Sequence, residues 1–272
     1  MEPIQRKFYR RRRGESLGWE FILPSVVLIG LIGIPMIALV WRSINSNIFS
    51  FALSESALNA LRLSLFTSVI TVVIALLTGT PLAYLQTHTR FRGKAIVDLL
   101  VDLPVVLPPA VAGIALLLAF GREGLIGTYL DRIGISLPFT TAAVVMAQVF
   151  VSAPFLVRSA RVGFSSIDPQ LEEAAMVEGA SNWHVFQHIM LPMAGRALLT
   201  GIILCWTRAL GEFGATLLFA GNLEGKTQTM PLAIYVGFEQ SLGIALVLSL
   251  LLVVVSLVLL AMLRRLELQS QP

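Results

Sequence analysis

Three groups of residues have types and spacings that could do chemistry. Ala220 to Thr227, AGNLEGKT, fits the loose form of a phosphate-binding loop: a small residue, four others, then Gly-Lys-Thr. A working loop of that kind joins a β-strand to a helix in a soluble nucleotide domain, and its backbone N–H groups cradle phosphates. Here Ala220 ends an apolar run and Pro231 soon follows, so the surroundings are wrong for nucleotide. His184 and His188 stand at i and i+4, the spacing of a zinc pair on one helix face. They have neither the glutamate of an HExxH motif nor a third ligand nearby, and no metal is expected. Arg208 and Glu212 share that spacing with opposite charges inside an apolar run, where ionisable residues are functional candidates by default. No Ser-His-Asp or Cys-His arrangement has a supporting motif, so catalysis by this chain is not expected. The lone Cys205 offers no disulfide framework or thiolate cluster and reads as a buried, inert thiol.

The elements that must position these groups belong in a bilayer. With 56% hydrophobic residues, 13% charged and a mean hydropathy of +0.81, the 272 residues carry more apolar surface than one soluble core hides. A hydrocarbon core of about 30 Å needs about 20 apolar residues in a helix. Six runs qualify: Trp19–Trp41, Leu63–Leu85, Ile96–Phe120, Pro138–Val157, Ala197–Ala220 and Leu242–Leu263. The expected fold is an all-α membrane protein with six transmembrane helices and no separate soluble domain. Arg6, Lys7 and Arg10 to Arg13, then Arg90, Arg92 and Lys94, then Arg158, Arg161 and Arg196, and finally Arg264 and Arg265 fall on alternate sides of the runs. The positive-inside rule makes all four groups cytoplasmic, both termini included. The organisation is then a basic cytoplasmic segment 1–18, a first span 19–41, a core 42–265 holding five spans and a cytoplasmic loop 158–193, and a cytoplasmic tail 266–272. The first run is too long for a cleavable signal and ends in Trp41-Arg42, so it reads as a retained anchor. The sequence pI of about 9.6 is explained by charge facing the inner leaflet, and nucleic acid is not an expected partner.

The loop 158–193 carries strong helix signals. Asp168-Pro169 offers an N-cap and a proline at the first helical position, and Leu171 to Glu178 are almost all good helix formers. Gly179 ends that helix, Ser181 caps a second one over Asn182 to Met190, and Pro192 follows. Trp183, Phe186 and Met190 make an apolar stripe that could lie on lipid or enter another protein's groove.

Glu173-Ala174-Ala175, three residues, Gly179, nine residues, then Ile189-Met190-Leu191-Pro192 resembles the EAA loop of the membrane subunits of binding-protein-dependent ABC importers. The stretches Asp98–Gly127 and Thr207–Tyr235 are similar to molybdate permease subunits and less closely to sulfate permease subunits. The resemblance implies a type I ABC importer permease fold in a bacterial inner membrane. It implies a second permease chain, expected to be identical, two cytoplasmic ABC ATPase subunits, an external oxyanion-binding protein, and no cofactor. By position, Glu173, Ala174, Ala175 and Gly179 would dock the ATPase, while Ile189, Leu191 and Pro192 would fix the return into the fifth span. Molybdate or tungstate is the implied cargo, sulfate or thiosulfate the alternative. A stand-alone secondary transporter would favour paired repeats and matched half-helices, which the sequence lacks.

An oxyanion entering an apolar passage needs donors or positive charge to replace part of its water. Arg208 is a candidate for that path or its gate, with Glu212 and Thr207 beside it; a purely structural Arg208–Glu212 pair, or a subunit contact, is the other reading. Gly211 and Gly214 permit close helix approach, and Thr216 offers a hydroxyl. Pro104, Pro108 and Pro109 interrupt the third span, as a gate-lining break or as a structural kink. Asp98 and Asp102 would repel an anion, so they are expected at the interface or paired with Arg90 to Lys94.

Overall fold

The structure is a computed structural model that describes residues 19–44 and 54–269. The expected basic segment 1–18 and the last three residues of the tail lie outside the described residues. Two compact units divide the chain near residue 48. The first unit's described part is one helix, α1 (Trp19–Ile44), about 39 Å long at 1.5 Å per residue.

The second unit is built from α2 (Glu55–His88), α3 (Lys94–Val106), α4 (Pro109–Phe120), α5 (Gly127–Arg132), α6 (Thr141–Ser165), α7 (Pro169–Val177), α8 (Asn182–Val185), a π turn (Phe186–Met190), α9 (Leu191–Met193), α10 (Gly195–Leu210), α11 (Gly214–Ala220), α12 (Met230–Gln240) and α13 (Leu242–Gln269). Every regular element among the described residues is helical. Helices α1, α2, α6 and α13 are each long and apolar enough to cross a bilayer. Over the third and fifth expected spans there is no single crossing helix: α3 and α4 have 13 and 12 residues and α10 and α11 have 16 and 7, each too short to cross alone. Leu107 is extended, as the residue before a proline prefers, and Pro108-Pro109 restarts the chain as α4. Of the three prolines expected to interrupt this run, Pro104 does not: it is buried inside α3. The fifth run breaks at Gly211–Phe213, between α10 and α11. The last helix continues through residue 269, beyond the expected start of the tail at 266.

The core is packed inside-out relative to a soluble bundle. Along α2 the buried face is Ala57, Ala60, Ser64, Thr67, Ser68, Thr71, Ala75, Gly79 and Ala83, at three- and four-residue spacing, while Phe66, Val69, Val73 and Leu77 are exposed. Lipid accepts the large apolar side chains, so helices approach through small and weakly polar ones. A Cβ on Gly79 would lie 3.0 Å from Val157 of α6, and one on Gly201 of α10 would lie 3.0 Å from Ser159. The close approach brings polar groups together. Thr71 donates to Gln148 Oε1 at 3.0 Å, the Trp206 indole donates to Ser68 at 2.8 Å, and Ser159 donates to the Ala197 carbonyl at 2.6 Å. Cys205 is fully buried in this core, 3.5 Å from the Ser152 hydroxyl.

Candidate functional site

The segment after α6 is built by its caps. Asp168 accepts from the Gln170 N–H at 3.0 Å and Pro169 opens α7. At the other end Gly179 takes φ +90°, its N–H reaches the Met176 carbonyl at 3.0 Å, and the Ala180 N–H reaches that of Ala175 at 3.0 Å. This double closure is a Schellman motif, which requires the left-handed conformation glycine adopts without a Cβ penalty. Ser181 then caps α8 through the His184 N–H at 3.3 Å. The second helix is not the regular one expected over Asn182 to Met190. It passes into the π turn, where the Leu191 N–H reaches back five residues to Phe186. Pro192 supplies the reason: in an α-helix its ring would clash with the carbonyl of His188, and the wider turn relieves that contact. The segment 182–193 meets α10 at 75°.

The two faces of this hairpin differ. Glu173, Ala174, Gly179 and Pro192 are exposed, and so are Leu171, Met176, Val177 and Trp183; Val177 is 86% exposed. Ala175, Ala180, Ile189 and Leu191 are half-buried against a cluster that includes Phe164, Val185, Phe186 and Met190. The expected stripe of Trp183, Phe186 and Met190 is therefore divided. Phe186 and Met190 are core residues of their own chain, and only Trp183 remains outside, stacked on Phe186 with ring centroids 5.4 Å apart. The i, i+4 histidines stack on each other at 4.1 Å, with His188 Nδ1 at 3.2 Å from the His184 carbonyl. No cluster of three or more metal-ligating side chains occurs among the described residues.

Glu172, one residue before the expected docking set, points inward. Its carboxylate accepts from the Tyr84 hydroxyl at 2.8 Å and lies 3.5 Å from His88 Nε2. No local signal in the sequence joins His88 to a glutamate 84 residues later. Asp98 and Asp102 also find partners other than those expected. Asp102 pairs with Arg158 at 2.7 Å, and Asp98 lies 3.6 Å from Arg161 and accepts from Gln86 at 2.8 Å. Arg90 to Lys94 are not the partners because α6, not the loop before α3, runs alongside these carboxylates.

Within the bundle, Arg208 and Glu212 are joined at 2.7 Å. The Glu212 side chain is fully buried and that of Arg208 is 28% exposed. The second carboxylate oxygen of Glu212 accepts from the Ala215 N–H at 2.9 Å, satisfying the first turn of α11 after the break. Thr207 is exposed, but its hydroxyl is spent on the Ile203 carbonyl at 2.9 Å within its own helix. Thr216 is buried. The two broken spans touch at their breaks: a Cβ on Gly214 would lie 2.8 Å from Pro109 Cβ, and one on Gly113 would lie 2.9 Å from the Ala215 carbonyl. Pro108, exposed, is thus close in sequence to the junction, whereas Pro104 is a turn away.

AGNLEGKT forms a closed turn. The N–H groups of Lys226, Thr227 and Gln228 all reach the Leu223 carbonyl, and the Leu223 N–H reaches the Thr227 hydroxyl at 2.9 Å. Glu224 accepts from Ser56. The Gly-Lys-Thr end of the loop thus spends the N–H groups of Lys226 and Thr227 within the turn, and a helix, not a strand, precedes it.

A bundle of apolar helices with small-residue contacts, two broken spans and a capped, exposed hairpin between α6 and α10 defines a multi-spanning integral membrane protein with a surface offered beyond its spans. Residues 75–269 match the family described as "Binding-protein-dependent transport system inner membrane component", and the chain belongs to that family. It is a multi-pass transport component, not an enzyme. It is 39% identical over 245 residues, 90% of this chain and 86% of the relative, to the probable transport system permease protein NifC of Clostridium pasteurianum. It is 41% identical over 238 residues, 88% of this chain and 90% of the relative, to the molybdenum transport system permease protein ModB of Mycobacterium tuberculosis. A chain of a bacterial ABC transporter involved in the import of the acidic polysaccharide alginate has the same fold, with a TM-score of 0.76 at 19% identity, covering 93% of this chain and 96% of that one.

Proposed function

We propose that this chain is the permease subunit of an ATP-driven importer of molybdate or tungstate, with hydrolysis carried out by a separate ATPase docked on α7. The observation that carries the coupling half is the outward face of α7. Glu173 and Ala174 are exposed on a helix held rigid by Asp168 at one end and Gly179 at the other, flanked by exposed Val177 and Trp183. A short capped helix moves as a rigid body when a partner grips it, its carboxylate meets a basic partner, and its alanine allows close approach. The cargo follows from the molybdenum permease relative. The Lys and Arg distribution supports a cytoplasmic 158–193 with both termini inside and the Ala220–Thr227 turn outside, on the side an oxyanion-binding protein would approach. Two identical permease chains and two ATPases make the working assembly. Arg208, near the junction of the broken spans, supplies positive charge to the path, restrained by Glu212.

The test is uptake of labelled molybdate by proteoliposomes holding the complete complex and its binding protein. ATP-dependent uptake should be suppressed by excess tungstate and little affected by sulfate. Equal suppression by sulfate would replace the cargo with sulfate, and uptake driven by an ion gradient without ATP would overturn the mechanism.

A further inference from the structure

We infer that Glu172, Tyr84 and His88 form the joint through which the docking helix moves the membrane helices, a positioning role that rests on the docking of an ATPase at α7. The outer face of α7 explains how a partner would hold it, but force on α7 reaches the spans only through what fixes its inner face. There Ala175 supplies a half-buried apolar contact, and Glu172 supplies a directional bond to Tyr84 and lies beside the His88 ring. Glu172 and Glu173 are adjacent yet point opposite ways: Glu173 is exposed, whereas only 15% of the Glu172 side chain is.

The receiving end is preorganised. Tyr84 and His88 are one turn apart on α2 and stack with centroids 4.5 Å apart, and His88 Nδ1 lies 3.3 Å from the Tyr84 carbonyl. Phe164 of α6 stands edge-on to Tyr84 at 5.7 Å and to His88 at 6.3 Å, and Phe186 of the π turn closes the box at 5.0 Å from Tyr84. The hydroxyl and Nε2 are thereby aimed at a carboxylate before it arrives. An apolar contact slides under load, whereas the charge-assisted bond from the Tyr84 hydroxyl, with His88 Nε2 3.5 Å from the same carboxylate, resists sliding. Helix α2 then carries the displacement, because its 34 residues pack through their small-residue face against α6 and α10. The joint thus ties α7 to α2 and α6 as one body.

The experiment uses the full complex in proteoliposomes with loaded binding protein, and a photoreactive thiol probe on Gln170→Cys, exposed at the start of α7 beside the docking residues, to report docking. Glu172→Ala should lower the maximal stimulated ATP hydrolysis about tenfold, the loss expected for one charge-assisted bond. The concentration of binding protein giving half-stimulation should stay within about twofold, because that protein binds elsewhere. Glu172→Gln keeps an acceptor for Tyr84 and should recover most of the stimulation. Tyr84→Phe keeps the stacked ring but removes that same charge-assisted bond and should cost a similar factor, about tenfold. Cross-linking through Gln170→Cys should persist in all three. Full stimulation in both Glu172→Ala and Tyr84→Phe with cross-linking intact would overturn the joint and leave docking standing. Equal loss in Glu172→Gln and Glu172→Ala would also overturn it. Absence of cross-linking from otherwise unsubstituted complex would overturn docking, and the joint with it.

Discussion

Substituting each member of the Arg208–Glu212 pair separates a partnership from a charge that waits for an anion. Arg208→Gln leaves a fully buried carboxylate whose other donor is the Ala215 N–H. Breaking a buried ion pair from one side costs about 3–5 kcal/mol, because the remaining charge keeps its desolvation penalty. Glu212→Gln is milder. Its amide oxygen still accepts from Ala215, and the guanidinium left behind is only partly buried, 28% exposed, so the cost is about 1–3 kcal/mol. The double substitution leaves two neutral amides able to bond each other and the helix end, and should cost less than Arg208→Gln alone. For a chain of this size each kcal/mol moves the melting temperature by about 2–4 °C. Arg208→Gln should then lower the apparent Tm of purified complex by about 10 °C, and Glu212→Gln and the double variant by about 5 °C each. The assay is thermal unfolding followed by tryptophan fluorescence, with uptake measured in parallel. If Arg208 meets the cargo, the double variant assembles and fails to transport. Losses of Tm that simply add would refute the pairing argument.

Gly179→Val has free space around its Cβ but is forced to φ +90°, a strain of about 1–2 kcal/mol for a non-glycine residue; the cap should shift and binding-protein-stimulated hydrolysis should fall, and normal stimulation would count against the docking role. Gly113→Ala would press a methyl group to 2.9 Å from both the Ala215 carbonyl and Leu218 Cβ, and overpacking of this kind costs about 1–3 kcal/mol, read as a lowered Tm. Lys226→Ala should leave ATP binding and basal hydrolysis by the complex intact, with any defect confined to stimulation by the loaded binding protein. Permease that photolabels with an ATP analogue and loses the label in that variant would restore the nucleotide reading of AGNLEGKT.

The parts of this fold that follow from local chemistry were legible in the sequence. Asp168-Pro169, Gly179 and Ser181 each specify a backbone geometry through their own side chain or its absence, and each stands where that geometry occurs. The apolar runs were legible because lipid sets their length. What depends on the neighbour was not. Glu172 and Glu173 are chemically alike, and only the box formed by α2, α6 and the π turn decides which turns inward. Asp98 and Asp102 could not reveal Arg161 and Arg158 as partners, since the pairing needs α3 laid along α6. Two signals were present but unread. The small-residue stripe of α2 runs at helical spacing, and Pro192 follows His188 by four residues, which disfavours a regular turn there.

The break at Gly211–Phe213 shows why an ionisable residue in a span is ambiguous until its second partner is known. A helix that restarts inside a bilayer exposes N–H groups that water would satisfy elsewhere, and each unsatisfied group costs several kcal/mol in hydrocarbon. Glu212 meets that need at Ala215, and its carboxylate is then anionic in a buried place, which in turn calls for Arg208. The pair is therefore explained by the break before any cargo is considered. The same arrangement also suits conduction. A path for a dianion must attract it enough to admit it and hold it weakly enough to release it. An arginine already bonded at 2.7 Å to a carboxylate offers less charge than a free one. The break thus creates the need for Glu212, and Glu212 fixes Arg208; if the proposed path runs past the junction, the charge an anion meets there is a restrained arginine.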